Sequence, residues 1–198
     1  MEFIKKYTEF LLEKKKEKES FEDKIEGDGY YKGISTATAR DKVDQMAKKM
    51  ESLQSQAPIF IVVLNGSFFF ASDLLKALSF DCELHFIKVK SYEGMESSGK
   101  MNLSLDINVD VSNRTIIILE DIIDTGTTLH YLINHLQEKN PKKIITASLL
   151  FKPKAYKQDH TIDFIGKSIE NDFVVGYGLD YDELGRTLPQ IFKLKNTN

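Results

Sequence analysis

Thr115-Ile-Ile-Ile-Leu-Glu-Asp-Ile-Ile-Asp-Thr-Gly-Thr-Thr-Leu129 is the stretch around which the rest of the chain can be read. It opens with β-branched and apolar residues, Thr115 to Leu119, a run too short for a membrane span and typical of a strand buried on both faces. Glu120 and Asp121 follow where such a strand is expected to leave its sheet. A third acid, Asp124, then precedes Thr125-Gly126-Thr127-Thr128. Leu129, Leu132, Ile133 and Leu136 recur at helical spacing, which predicts a helix starting near the threonines. Gly126 allows a tight turn, and consecutive N–H groups at a helix start form an anion cradle to which hydroxyls add donors. Acids beside such a cradle would repel a bare phosphate, so a metal ion or sugar hydroxyls suit them better. Strand, acid pair and phosphate loop together describe a site for a phosphorylated sugar. Asp, Thr and Gly also serve turns and caps for purely local reasons, but acids and threonines in one turn favour function.

This stretch resembles the loop that binds phosphoribosyl pyrophosphate in type I phosphoribosyltransferases. It is not a Walker loop, because no Gly-x-x-x-x-Gly-Lys-Ser/Thr is present.

Composition narrows the alternatives. A chain of 198 residues with 41% hydrophobic and 29% charged residues is an ordinary soluble globular protein of one domain and a modest appendage. The net charge of −3 argues against nucleic-acid binding. Cys82, the single cysteine, excludes a disulfide framework and suits a reducing cytoplasm, where it reads as a small buried hydrophobe rather than a nucleophile. Glu2, Lys5 and Lys6 do not resemble a signal peptide, and no apolar run nears the roughly 20 residues a membrane span needs. A cytoplasmic location is therefore expected.

Taken in order, Phe3, Ile4, Tyr7, Phe10 and Leu11 predict an amphipathic helix over 2–19, whose charged run Glu13–Glu19 is a solvated face. Residues 20–32 read as irregular. Ser35 or Thr36 can cap a helix through Met50. From Pro58, a strand Ile59–Leu64, a turn Asn65-Gly66-Ser67 and a helix Phe68–Leu78 follow one another, then a strand Leu84–Val89. Ser91–Met101 is polar and glycine-bearing, as mobile loops are. Leu103, Leu105, Ile107 and Val109 alternate as in a partly exposed strand. Asn140-Pro141 ends the central helix, and Ile144–Phe151, Ile162–Ile165 and Phe173–Gly178 read as strands before an acidic loop, Asp180–Pro189. This alternation predicts an α/β fold with a mainly parallel sheet flanked by helices, ligands at the carboxyl ends of its strands, and a small hood lobe from the two termini. The whole is expected to form one domain, with 1–33 a variable extension and 34–198 core and hood.

Five blocks then stand in one order: Val-Leu-Asn-Gly-Ser (63–67), Lys-Ser-Tyr (90–92), Glu-Asp-Ile-Ile-Asp-Thr-Gly (120–126), Ser-Leu-Leu-Phe-Lys (148–152) and Phe-Val-Val-Gly-Tyr-Gly-Leu-Asp-Tyr (173–181). Together they resemble the hypoxanthine-guanine phosphoribosyltransferases of the type I group, from about Ile34 to Ile191. The resemblance implies a Mg²⁺-dependent enzyme that joins a 6-oxopurine to phosphoribosyl pyrophosphate in purine salvage, and a homodimer or homotetramer. It places Glu120 and Asp121 at the ribose hydroxyls and a metal, Asp180 near a second Mg²⁺, and Thr125, Gly126, Thr127 and Thr128 at the 5′-phosphate. Asp124 becomes the base for purine N7 or N9, although it also reads as one more loop-stabilising acid. Ile122 and Phe173 would flank the purine, Lys152 would meet its O6, and main-chain groups of Asp172 and Val174 its other edge. Arg186 and the turn Asn65, Gly66 and Ser67 would meet pyrophosphate, while Ser91 and Tyr92 head a closing loop.

The chain also departs from the pattern. Many relatives have lysine where Asn65 stands, so the turn is expected to act through its backbone, with a cis Leu64–Asn65 peptide. Position 127 is threonine where some relatives carry a bulkier or charged residue. The four histidines show no metal spacing. Two rivals remain: a regulatory protein that kept the fold and ligand without catalysis, and an enzyme that takes another base such as xanthine. The acidic charge, and Asp124 and Lys152 occurring together, weigh against the first.

Overall fold

The computed structural model describes residues 30–91 and 101–194. The helix expected over 2–19 and Tyr92 lie outside them. In chain order the elements are β1 (Tyr30–Ile34), α1 (Thr36–Met50), a 3₁₀ turn (Glu51–Gln56), β2 (Ile59–Val63), α2 (Phe68–Ala77), β3 (Glu83–Ser91), β4 (Met101–Leu105), β5 (Thr115–Ile123), α3 (Thr127–Gln137), β6 (Lys143–Phe151), β7 (Phe164–Ser168), β8 (Val174–Val175) and β9 (Ile191–Leu194).

A six-stranded sheet carries the order β4-β3-β2-β5-β6-β7. All its pairings are parallel except β3 with β4. Both faces are covered, as parallel sheets require. Phe60, Val62, Ile117 and Leu119 pack with α1 and α2 on one face, while Ile59, Ile61, Ile116 and Ile118 meet α3 on the other. The chain winds outward from β2 to β3 and β4, then returns to β5 and winds the other way. The gap between β2 and β5 is therefore the switch point, where ligands of open α/β sheets bind. The second sheet, β1-β9-β8, is antiparallel and joins segments from opposite ends of the described chain. It forms the expected hood. No helix among the described residues is long and apolar enough to cross a membrane.

Several boundaries differ from the sequence reading, for identifiable reasons. β5 does not leave the sheet at Glu120 but pairs with β6 as far as Ile123↔Phe151, so the acid pair lies within the strand. β4 ends at Leu105 because Asp106 turns the chain: its carboxylate accepts from the Ile107 amide at 2.7 Å and meets His135 of α3 at 3.0 Å. Ile107 and Val109 then pack beneath α3 instead of continuing the strand. The strand read at Ile162–Ile165 starts at Phe164, since Asp163 accepts from the Thr146 amide through its side chain at 2.8 Å. The strand read at Phe173–Gly178 shrinks to Val174–Val175. The segment read as irregular to residue 32 contains the start of β1, and neither β9 nor the 3₁₀ turn was anticipated. Ser35 caps α1 through its hydroxyl as expected, accepting from the Thr38 amide at 3.1 Å. Cys82 is half-buried against the α1–α2 side of the core, and burial, with Asp81 nearby, pushes its thiol up. That is the state of an inert hydrophobe.

The doubly covered centre of the sheet sets a stability expectation. Ile117 is fully buried, whereas Leu105 on the edge strand is 44% exposed. Ile117→Ala should cost roughly 2–5 kcal/mol by urea denaturation, and Leu105→Ala under about 1 kcal/mol. Equal losses at the two positions would contradict this placement of the core.

Candidate active site

β2 pairs with β5 only from Ile59↔Ile116 to Val62↔Leu119, and the chain then turns away through a cis Leu64–Asn65 peptide bond. β5 continues for four more residues, Glu120 to Ile123, whose β2-side edge is left open. The crevice so formed is a cavity of about 280 Å³ lined on one wall by Val63, Leu64 and Gly66 and on the other by the run from Glu120 to Leu129. The structure thus gathers Glu120, Asp121, Ile122, Asp124, Thr125, Gly126, Thr127 and Thr128 around one space, with Gly66 opposite.

The far end of the crevice is a helix start. Gly126, at φ +79°, is the N-cap of α3 and brings no side chain to cap it. The Thr127 amide donates to the Thr125 hydroxyl at 3.5 Å, and the Thr125 and Thr127 hydroxyls stand 2.9 Å apart at this helix start, a place suited to an anion. The loop after β6 braces the turn: the Lys157 amide donates to the Thr125 carbonyl at 3.1 Å. A Cβ added at Gly126 would sit 2.3 Å from the Tyr156 ring. Tyr156, which the sequence reading passed over, therefore sets the shape of this turn.

The acid pair occupies the middle. Glu120 is only 7% exposed, and burial pushes its carboxyl well above the usual range, with Asp121 adding to the effect. Asp121 is half-buried, and burial pushes it up to about 6 despite hydrogen bonds and the Arg186 charge, which oppose the rise. Its amide donates to the Ser67 hydroxyl at 2.9 Å, tying β5 to the start of α2. A Cβ at Gly66 would fall 1.8 Å from the Asp121 carboxylate, so the turn can lie on the acid only as glycine.

Lys152 directly follows the last residue of the neighbouring strand β6 and is 7% exposed. Its ammonium donates to Asp124 Oδ2 at 2.6 Å. The pair supplies the counter-charge a buried ammonium needs, and it leaves further lysine donors and one carboxylate oxygen for a ligand. Asp180 and Arg186 are likewise joined, at 2.9 Å. Arg186 also donates to the Gly178 carbonyl, and the Glu183 amide donates to Asp180.

Other expected site residues lie apart. Asp172 and Val174 line a separate cavity under the hood with Ile34 and Ile191, where Asp172 pairs with Lys193 at 3.2 Å. Phe173 is 45% exposed and meets Tyr181 edge to face, 6.0 Å between centroids. Ser91 closes β3, and nothing of its side chain is described. Asn65 is exposed, and Lys88 of β3 donates to its Oδ1 at 3.0 Å, a contact no local motif announced. Among the described residues, no group of three or more His, Cys, Asp or Glu side chains is arranged to hold a metal ion. The chemistry of the donors fits Mg²⁺ nonetheless, because that ion is held by one or two carboxylates together with substrate phosphates rather than by a protein cage. Two adjacent acids strained by burial are a place for such a charge.

The acid pair carries a stability consequence. A carboxylate whose native pKa lies above its unfolded value costs stability once pH exceeds the unfolded value, and the cost grows through the native value. For Asp121 the window runs from about 4 to about 6. Asp121→Asn should therefore stabilise the ligand-free protein in EDTA by on the order of 2 kcal/mol at pH 7.5, with the gain fading toward pH 4. Thermal melts at the two pH values test this, and a gain unchanged by pH would be the contrary result.

Comparison with known proteins identifies the family. The sequence pattern of the phosphoribosyl transferase domain matches residues 36–182. The chain is 40% identical over 164 residues to the hypoxanthine-guanine phosphoribosyltransferase of Bacillus subtilis, covering 82% of this chain and 91% of the relative. It is 38% identical over 154 residues to the hypoxanthine-guanine-xanthine phosphoribosyltransferase of Tritrichomonas foetus, covering 76% and 83%. The crystal structure of a hypoxanthine phosphoribosyltransferase from Staphylococcus aureus superposes with a TM-score of 0.79 at 34% identity, covering 86% of this chain and 94% of that one. With the pattern spanning most of the sheet and such relatives matched along most of their length, the chain belongs to the phosphoribosyl transferase domain family, among its hypoxanthine-guanine phosphoribosyltransferases.

Proposed function

We propose that the chain carries out purine salvage, moving the 5-phosphoribosyl group from phosphoribosyl pyrophosphate to N9 of hypoxanthine or guanine and giving IMP or GMP and pyrophosphate. The observation that carries the choice of base is the Lys152–Asp124 pair, 2.6 Å apart at the ends of adjacent strands. A 6-oxopurine presents O6, an acceptor, beside N7, which can carry a proton. An ammonium donor next to a carboxylate acceptor is the complement of that edge.

In the reaction the bond from the anomeric carbon to the pyrophosphate oxygen breaks, the bond to N9 forms, and the purine gives up one proton. Asp124 receives that proton from N7 or N9. Thr125, Gly126, Thr127 and Thr128 hold the 5′-phosphate at the start of α3. Glu120 and Asp121 bind the ribose hydroxyls, and their negative charge favours the oxocarbenium character growing on the sugar. The backbone of Asn65, Gly66 and Ser67, with Arg186, holds the pyrophosphate. Ile122 lies under the purine, Phe173 stacks over it, and the main chain of Asp172 and Val174 reads its far edge. Ser91 and Tyr92 begin the segment that excludes water. Mg²⁺, held by Asp180 and by the Glu120–Asp121 side, would neutralise the leaving pyrophosphate when bound. A cytoplasmic location suits the lone, inert Cys82.

Asp124→Asn should lower kcat by roughly 10²- to 10⁴-fold with little change in KM, the effect of losing a positioned base. Turnover within a fewfold of the parent would remove Asp124 from the proton transfer. Base choice tests the activity itself, by pyrophosphate release with each purine in turn. The exocyclic amine of adenine would oppose a donor-only ammonium, so adenine should fall short of hypoxanthine by roughly 10⁴ or more in kcat/KM. Lys152→Ala should erode both rate and discrimination. Comparable rates with adenine and hypoxanthine in the parent protein would end the 6-oxopurine reading.

A further inference from the structure

Lys88 lies on β3, half-buried, and its ammonium donates to Asn65 Oδ1 at 3.0 Å. Among the described residues Lys88 forms no ion pair, whereas Lys152, Lys154, Lys193, Arg114 and Arg186 all do. A half-buried cation held by a neutral amide keeps its charge available to a ligand.

Its position says which ligand. Asn65 stands between Leu64 and Gly66, both of which line the crevice, and the Leu64 amide donates to the Ile87 carbonyl at 2.8 Å. The turn and β3 are thus stapled by the residue before Lys88, and the Lys88 side chain reaches the turn from the same strand. The other wall is crowded with acids, and the cations there already have acidic partners: Lys152 with Asp124, and Arg186 with Asp180. An anion settling on the turn therefore meets one positive charge near at hand that no acid has claimed.

We propose that Lys88, held on the turn by the Asn65 side chain, is a further cation, besides Arg186, that binds the pyrophosphate group of the substrate and of the product. Asn65 is then a positioning residue: its amide oxygen orients the ammonium, whose remaining hydrogens face the anion. This rests on the reading of the turn as the pyrophosphate site, and it goes further by naming the side chain that supplies the charge.

Titration calorimetry of the full chain with sodium pyrophosphate in excess MgCl₂, and separately with IMP, tests the assignment without needing turnover. Lys88→Met should weaken pyrophosphate roughly tenfold or more, the size of one charge-assisted hydrogen bond, and raise the KM for phosphoribosyl pyrophosphate in step. IMP, which carries no pyrophosphate, should bind within about twofold of the parent. Asn65→Lys added to Lys88→Met should restore pyrophosphate affinity, because the charge returns from the turn itself. Unchanged pyrophosphate affinity in Lys88→Met overturns the proposal, as does an equal loss for IMP, which would mark a structural role. A parent protein that binds pyrophosphate through Lys88 yet transfers no phosphoribosyl group would refute the activity and leave this assignment standing.

Discussion

Strand β5 goes on pairing with β6 through Ile123 after β2 has turned away at Leu64. A parallel strand that outruns one neighbour opens one edge, and its main-chain polar groups must find partners other than that neighbour. Here the edge carries Glu120, Asp121 and Ile122, with the Ser67 hydroxyl taking the Asp121 amide, followed by the turn that starts α3. The mismatch in strand length places two acids, an apolar platform and a helix N-terminus in succession along one edge. The winding of the sheet, reversing between β2 and β5, keeps helices from closing that edge. The crevice is thus a product of topology, and its chemistry is a product of which residues fall in the overrun.

The walls are fixed by close approach rather than by large hydrophobic contacts. Gly66 lies on the Asp121 carboxylate, and Tyr156 fills the space behind Gly126. Ser67 leaves its own helix uncapped and instead accepts from the Asp121 amide, so the start of α2 is bonded to the strand that bears the acids. Each of these contacts trades a local stabilisation for a defined distance across the crevice. Preorganised polar groups in a site of fixed shape are what acceleration through electrostatics requires.

The sequence revealed the parts of this arrangement that are written locally. The run Thr115–Leu119 reads as a buried strand because its residues are β-branched and uninterrupted, and Gly126 with the threonines marks the helix start. The length of β5 was not legible, since Glu120 and Asp121 are poor strand formers and only pairing with β6 carries the strand past them. Asp106 and Asp163 deceived for a related reason: each carboxylate takes over a main-chain amide, so apolar residues beyond or before it look like strand but are not. The hood was expected from the two termini, but its strands β1 and β9 were not read, because they are short and find each other from opposite ends of the described chain, a pairing no local pattern encodes. Lys88 was silent because a lone lysine in an alternating strand is normally a solvated residue. The role it takes here depends on a turn more than twenty positions earlier in the chain.

Charge accounting ties these observations to function. Lys152 and Arg186 are each held by a carboxylate, Asp124 and Asp180, while Glu120 and Asp121 stand together with the Arg186 charge opposing the rise at Asp121. The ligand-free site therefore holds two acids whose ionisation burial opposes, beside the start of α3, while the Lys88 ammonium rests on the turn that follows β2. On the proposed function, a ligand that is anionic at two ends and polar with hydroxyls in the middle answers both features: its phosphates meet the start of α3 at one end and the turn at the other, and its hydroxyls meet the acids. On that reading, the burial that makes Glu120 and Asp121 costly to the empty protein is also what favours a phosphorylated sugar over a simple phosphate.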